Sequence, residues 1–262
     1  MSFDRAAEYY DATRALPDEA MADLLCVLVP ELAARQPCLE IGVGTGRIAL
    51  PLRERGIDMA GIDIAQAMLR RLVGNAGGVS PFPLALADAT RLPLADASFG
   101  SVLAVHVLHL IPGWRDAIEE AFRVLRPGGA LIASFPGGNA DPDRPRPRAA
   151  APWAALLWDA ARRHGVLRTR HGAGDPRQIA DYLGDRAVAR RLPEVRVNEL
   201  RTLGATLLHL EGQVYSWTWP YPREQVLGLG TEIRSWAAQE GVSLEQQHPV
   251  ESTLEWWAFE LA

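Results

Sequence analysis

From Pro37 to Phe135 short apolar runs alternate with amphipathic segments, and a glycine-rich turn follows the first run. Few architectures accept that alternation: strands joined by helical crossovers form a parallel sheet covered on both faces. The pattern predicts a strand at Cys38–Ile41, a helix over Arg47–Arg55 closed by Gly56, a strand at Ile57–Ile62 ending on Asp63, and a helix over Ala65–Val73 stopped by Gly74 and Asn75. A third strand at Pro83–Ala87 ends on Asp88, and a fourth runs from Ser101 to Val107. Trp114–Val124 has helical periodicity, and Arg126-Pro127-Gly128-Gly129 turns the chain into a fifth strand, Ala130–Phe135.

The rest of the chain divides by composition. Residues 1–36 read as a helical cover and 37–135 as the sheet core. Residues 136–192 read as an Arg- and Pro-rich loop followed by a helical cap, and 193–262 as strands and a helix that complete the sheet. Within these, helices are expected at Trp153–His164, Asp175–Arg191 and Arg223–Gln239, with strands near Val195–Leu203 and Ser252–Glu260. If Tyr215–Tyr221 is extended, Tyr215, Trp217, Trp219 and Tyr221 share one face, either as the wall of an apolar pocket or as packing onto the sheet. Arg144, Arg146, Arg148, Arg162, Arg163, Arg168 and Arg170 form a group that reads as a solvated face or as a recognition site for an anion.

Composition removes several classes. A formal net charge of -5 repels phosphate polyanions, which makes nucleic acid an unfavoured partner. All 27 basic residues are Arg, so catalytic lysine, Schiff-base chemistry and a P-loop are excluded. Cys26 and Cys38 match neither a redox pair nor a zinc ligand set and are expected to be buried free thiols, and no metal site is expected. No apolar run reaches the ~18 residues that would suggest a membrane span, and the N-terminal stretch is charged and aromatic, so the expectation is a soluble, cytoplasmic protein.

The chemistry concentrates in Leu39-Glu40-Ile41-Gly42-Val43-Gly44-Thr45-Gly46. Backbone without side chains lets a ligand approach a turn where helix N–H groups gather. The spacing is G-x-G-x-G, with Arg47 where a dinucleotide fingerprint has its third glycine, so a nicotinamide oxidoreductase is disfavoured. Asp63 and Asp88 then end successive strands on the carboxyl edge, where open parallel sheets bind ligands. One acid can accept from ribose hydroxyls and the other from an adenine amine, which together describe an adenosine site.

LEIGVGTGRIALPL, GIDIAQAMLRRL, LADATRLPLADASFGSVLAVHVLHLI and VLRPGGALIAS resemble, in order and spacing, the class I S-adenosylmethionine-dependent methyltransferases, most closely the small-molecule branch similar to the ubiquinone and menaquinone biosynthesis enzymes. Tyr9-Tyr10-Asp11-Ala12-Thr13-Arg14 faintly resembles the N-terminal helix those enzymes fold over the cofactor, which adds Tyr10 and Arg14 to the expected cofactor contacts. The resemblance implies an α/β, Rossmann-like sheet of seven mostly parallel strands with the last antiparallel, flanked by helices, and a helical lid inserted after strand five. It implies S-adenosylmethionine as cofactor, with S-adenosylhomocysteine as product. It further implies that Glu40, Gly42, Val43, Gly44 and Gly46 cradle the methionine end and that Asp63 holds the ribose. Ile64 and Met68 would flank the adenosine, Asp88 and Ala89 would bind the adenine, and His106 would face the methionine moiety.

A sulfonium methyl is already a good electrophile, so a protein need mainly align a nucleophile and exclude water. His106 reads either as a base for an acidic acceptor or as a packed strand-end residue. The expected reaction is methyl transfer to a small-molecule acceptor. The alternatives are an RNA or protein methyltransferase, supported only by the Arg-rich insertion, and a protein that binds S-adenosylmethionine without turnover. The sequence does not fix the oligomeric state or the acceptor.

Overall fold

A computed structural model describes residues 11, 13, 15–136, 151–167 and 171–262. The described chain forms two compact units. One holds the residues up to 136 together with 171–196 and 253–262; the other holds 151–167 and 197–252. This division differs from the expected boundaries at 136 and 192.

The first unit is built on a sheet. Helix α1 (Asp18–Ala33) precedes β1 (Cys38–Ile41), α2 (Ala49–Glu54), β2 (Met59–Asp63), α3 (Gln66–Asn75) and β3 (Leu84–Leu86). Then follow β4 (Phe99–Ala104), α4 (Trp114–Val124), β5 (Leu125–Pro136), α5 (Ala154–Arg163), α6 (Pro176–Leu183), β6 (Ala187–Arg191), β7 (Val195–Arg201), α7 (Leu203–Glu211), α8 (Arg223–Gln239) and β8 (His248–Leu261). The strand order is β3-β2-β1-β4-β5-β8-β6, with β7 paired to β8 off that path. Strands β1 to β5 pair in parallel, while β8 runs antiparallel to both β5 and β6. This is the expected mostly parallel sheet with an antiparallel last strand, extended by β7.

Burial explains the strands. β1 and β4 are buried along their whole length, as strands covered on both faces must be. α4 buries Trp114, Ala117, Ile118, Ala121 and Val124, a stripe at three- and four-residue spacing, against a core that includes Leu39, Ile41, Val102, Ala104 and Leu131. The chain leaves β1 for β2 on one side and later returns to β4 on the other. The carboxyl ends of β1 and β4 therefore border the crevice where the strand order reverses.

Several expected elements are corrected. β4 stops at Ala104 rather than Val107, because His106 takes a left-handed φ of 50° that no strand tolerates, and a 3₁₀ turn follows at Leu108–Leu110. The helix expected over Asp175–Arg191 ends at Leu183. Its start carries a capping box between Asp175 and Gln178, Gly184 breaks it with φ 53°, and Ala187–Arg191 becomes the strand that pairs with β8. There the Arg190 guanidinium bonds Glu31 at 3.0 and 2.9 Å and Glu260 at 2.8 Å, so the strand's outward arginine is matched by acids of α1 and β8. β5 starts at Leu125, with residues 126–129 looping out between the Phe99–Leu125 and Ser101–Ala130 pairs. Cys38 is buried, its thiol pushed up to about 12 by desolvation, but Cys26 is exposed on the outer side of α1.

The second unit has its own core of Trp153, Ala160, Val166, Leu207, Leu210, Val226, Leu229 and Ile233, from α5, α7, α8 and the turn after α5. Tyr215–Tyr221 is not extended. Ser216–Thr218 is a 3₁₀ turn, closed by the Gln213 amide donating to the carbonyls of Thr218 and Tyr221 at 3.0 Å each. Tyr215, Trp217 and Tyr221 pack on the core of this unit, and the Trp158 and Trp217 rings stand 5.2 Å apart. Of the arginine group, Arg162 pairs with Asp159 and Arg163 with Glu232; residues 144, 146, 148, 168 and 170 lie outside the described residues.

A close backbone approach in the sheet unit provides a test. A Cβ on Gly100 would lie 2.5 Å from the Arg35 carbonyl oxygen and 2.8 Å from that of Gln36, neither of which is a side chain able to swing away. Gly100→Ala is therefore expected to cost more than about 2 kcal/mol in urea unfolding. An unchanged midpoint would show that the backbone yields at this point.

Candidate functional site

The glycine turn that leaves β1 has φ values of 66° at Gly42, 57° at Gly44 and 81° at Gly46. The three glycines have different reasons to lack a side chain. A Cβ on Gly42 would lie 2.5 Å from Val107 Cγ2, and one on Gly46 would lie 2.8 Å from Leu72 Cγ and 2.9 Å from Leu50 Cγ, so both are fixed by packing. Among the described residues, a Cβ on Gly44 would meet only the Gly42 carbonyl, at 4.0 Å. The middle glycine thus presents bare backbone that no described side chain crowds, where a ligand can approach it.

β2 carries Asp63 to the same edge. Its Oδ2 accepts from the Gly44 amide at 2.9 Å and its Oδ1 from the Ala65 amide at 2.8 Å, so one carboxylate joins the glycine turn to the start of α3. The group is 8% exposed. The two backbone bonds fix the orientation of this carboxylate. The Ala87 amide donates to the Asp63 carbonyl at 3.0 Å, which aligns the end of β3 with that of β2. Asp88 follows, exposed, with its Oδ1 accepting from the Thr90 amide and hydroxyl at 2.9 and 2.8 Å.

The other expected contacts fall into two environments. Ile64 is 61% exposed beside Asp63, an apolar side chain facing solvent at the carboxyl edge. Met68, Val43 and Ala89 are buried, Met68 beneath α3 and Val43 with its amide bonded to the Ile62 carbonyl at 2.9 Å.

Glu40 is the electrostatic anomaly. It is 2% exposed on β1, and its Oε2 has no hydrogen-bond partner among the described residues. Desolvation raises its carboxyl to about 8, with Arg47 opposing the shift and Asp63 adding to it. A buried acceptor without a donor costs about 1–3 kcal/mol and calls for an explanation.

Across the crevice, half-buried His106 holds φ at 50°, a conformation that costs a non-glycine residue about 1–3 kcal/mol. Its amide donates to the Ser134 hydroxyl on β5 at 2.8 Å, and the next residue, Val107, is the one packed on Gly42. The strained turn and the glycine turn are therefore in direct contact.

One cluster had no counterpart in the sequence reading. The Asp11 carboxylate, in the helical segment before α1, accepts from the Thr45 hydroxyl, from Asn75 Nδ2 at 3.0 Å and from Arg71 Nε at 3.1 Å. Asn75 also donates to the Thr45 carbonyl at 3.1 Å. Burial alone would raise the Asp11 carboxyl; the bonds from Thr45, Asn75 and Arg71 outweigh it and hold the group below the ordinary range. Only the threonine between two glycines hinted at this cluster, since Asp11 and Asn75 are 64 residues apart. Tyr10 and Arg14 lie outside the described residues.

The edge thus assembles a bare backbone turn, a locked acid on β2, an exposed acid after β3, an exposed apolar side chain between them, and a buried acceptor on β1. Acceptors dominate and no described side chain crowds Gly44, which suits a nucleoside joined to a cationic group. Among the described residues, no cluster of His, Cys, Asp or Glu is placed to hold a metal, and no helix is long and apolar enough to cross a membrane.

Residues 39–133 match the family model described as a methyltransferase domain. The chain is 33% identical over 138 residues to the malonyl-[acyl-carrier protein] O-methyltransferase of Geobacter sulfurreducens, a match covering 52% of each protein. The chain spans about half the length of the curated relatives it matches. Among solved structures, a candidate methyltransferase of Bacillus halodurans shares the fold with a TM-score of 0.58 at 13% identity, over 92% of this chain and 97% of that one. The phosphoethanolamine N-methyltransferase 2 of Haemonchus contortus, solved with S-adenosylhomocysteine, gives 0.50 at 15% identity, over 92% of this chain and 52% of that one. Residues 39–133, which carry the glycine turn and both strand-end acids, are thus similar to a methyltransferase domain.

Proposed function

We propose that this protein transfers a methyl group from S-adenosylmethionine to a small-molecule acceptor. The observation that carries the reading is Glu40, whose buried Oε2, without a partner among the described residues, stands on the strand that leads into the bare backbone of Gly44. A ligand bearing an ammonium group supplies the missing donor, and a nucleoside lies against a glycine without crowding it. The cofactor therefore fits the residues present.

When bound, S-adenosylmethionine supplies an electrophilic methyl on sulfonium that leaves as a neutral thioether. The chain's own residues bind and orient. Glu40 accepts from the amino group, while Gly42, Val43, Gly44 and Gly46 form the backbone cradle. Asp63, held in place by two amides, accepts from the ribose hydroxyls. Ile64 covers the adenosine from its exposed position, with Met68 supporting from within α3, and Asp88 and Ala89 receive the adenine. His106 lines the methyl side and accepts the acceptor's proton where that acceptor is a hydroxyl or acidic carbon.

The small-molecule reading is supported by relatives such as the Geobacter enzyme, named for O-methylation of malonyl-[acyl-carrier protein], and by the arginines. Arg162 and Arg163, the described members of that group, are matched by Asp159 and Glu232 and offer little net charge to a polyanion such as RNA.

Calorimetric titration with S-adenosylmethionine and S-adenosylhomocysteine tests the cofactor directly. Both are expected to bind, and Asp63→Ala is expected to weaken binding by about 2 kcal/mol, roughly thirtyfold, through loss of charge-assisted bonds. Equal affinity in the variant would remove Asp63 from the site.

Glu40 gives a pH test. Its value in the fold is raised above the ordinary 4.5 to about 8, so the native state binds more protons than the unfolded chain between those values. The free protein is therefore expected to lose stability as pH rises from about 5 to 8, and Glu40→Gln should flatten that slope. An ammonium partner favours the ionised carboxylate, so S-adenosylmethionine binding near pH 7 should release protons, measurable in buffers of different ionisation enthalpy. Proton release that persists unchanged in Glu40→Gln would contradict the assignment.

His106→Gly separates strain from function. Relief of the left-handed backbone is expected to leave stability unchanged or raise it by up to about 1 kcal/mol, while turnover falls. Turnover equal to the parent's would make His106 a packing residue.

A further inference from the structure

The cluster around Asp11 has a role that the cofactor contacts do not explain. Thr45 is the crest of the glycine turn, 1% exposed, and it is held at both ends: its hydroxyl by Asp11 and its carbonyl by Asn75. From the other side Asp63 holds the amide of the preceding Gly44. The turn is thus fixed between two carboxylates, one of them from the segment before α1. The three partners of Asp11 are unequal. Arg71 is 51% exposed, where an ion pair contributes little, so the bonds to buried Thr45 and to Asn75 carry the hold. Glycines flank Thr45 on both sides, and glycine-rich backbone has the most conformations to lose. A turn of this composition keeps one shape only if something outside it imposes that shape.

We propose that Asp11 is a positioning residue for the cofactor: by fixing Thr45 against α3 it sets the shape of the Gly44–Gly46 turn, so that cofactor affinity depends on a side chain that does not touch the cofactor. The inference rests on the reading of the glycine turn as the cofactor cradle. In its favour, the contacts of Asp11 go to the turn and to the helix behind it, and they span 34, 60 and 64 residues of sequence. Bonds of that reach join elements that local sequence cannot hold together.

The test uses the full chain and S-adenosylhomocysteine as probe, with Asp11→Ala, Thr45→Val, Thr45→Ser and the double variant of the first two. Asp11→Ala and Thr45→Val are each expected to weaken binding about tenfold, chiefly through faster dissociation, and the double variant to be no weaker than Asp11→Ala, because that change has already removed the one bond that Thr45→Val removes. Thr45→Ser, which keeps the hydroxyl, should retain parental affinity. In the free protein the amides of residues 42–47 should exchange faster in Asp11→Ala while those of α4 do not change. If the parent binds the probe and both single variants match it, this inference fails and the cofactor reading stands. A loss in Asp11→Ala that Thr45→Val does not share would place the effect in the fold and not in the turn. If the parent itself fails to bind, the cofactor reading fails and takes this inference with it.

Discussion

The site depends on one carboxylate. Asp63 lies at the end of β2 but serves β1 and α3, because its two oxygens hold the amides of Gly44 and Ala65. Without it the glycine turn and the first turn of α3 have no common anchor, and the strand ends lose their alignment around the crevice. Parallel pairing of β1 with β2 and β4 brings these ends to one edge; Asp63 turns that edge into a fixed surface. The arrangement costs little because the acceptor sits beside helix-start amides, which lack intrahelical partners. The same economy is absent at Glu40 and His106, where the fold carries a desolvated carboxyl and a strained backbone. Both lie at the crevice, as sites under functional constraint tend to.

Much of this was legible in the sequence wherever one local rule dominated. Continuous apolar runs marked β1 and β4, glycine and acid punctuation marked their ends, and α4 matched its periodic stripe at both boundaries. The acids at 63 and 88 could be placed on the carboxyl edge because strand ends in parallel sheets all face one way. Misreadings arose where distant partners decided the outcome. Ala187–Arg191 has helix-forming composition, but pairing with β8, some seventy residues downstream, made it a strand. The aromatic stretch near Trp217 alternates as a strand would, but Gln213 bonds two of its carbonyls and folds it into a turn. Asp11 could not have been found from local pattern at all, since its meaning lies in Thr45, Arg71 and Asn75 taken together.

The electrostatics of the crevice also has an internal logic. Three acids, Glu40, Asp63 and Asp11, surround the glycine turn, and each is treated differently. Asp11 is kept ionised by donors that outweigh its burial, Asp63 is tied to amides, and Glu40 is left to desolvation. The first two carry structure. The third keeps an oxygen, Oε2, that has no hydrogen-bond partner among the described residues.

β5 and β8 are neighbours in the sheet, yet Ala130 pairs with Glu260, and the second compact unit is drawn from the chain between them. The entropy of closing such an excursion grows only with the logarithm of its length, about 0.6 kcal/mol per doubling. Outside β6 and β7, which pair with β8, the sheet is therefore nearly indifferent to how much chain departs from β5 and returns at β8. Selection can rewrite the parts of that stretch outside the sheet, in size or in chemistry, while the strand ends that face the crevice stay in register. A single scaffold can in this way keep one strand-end surface and exchange the chain that surrounds it.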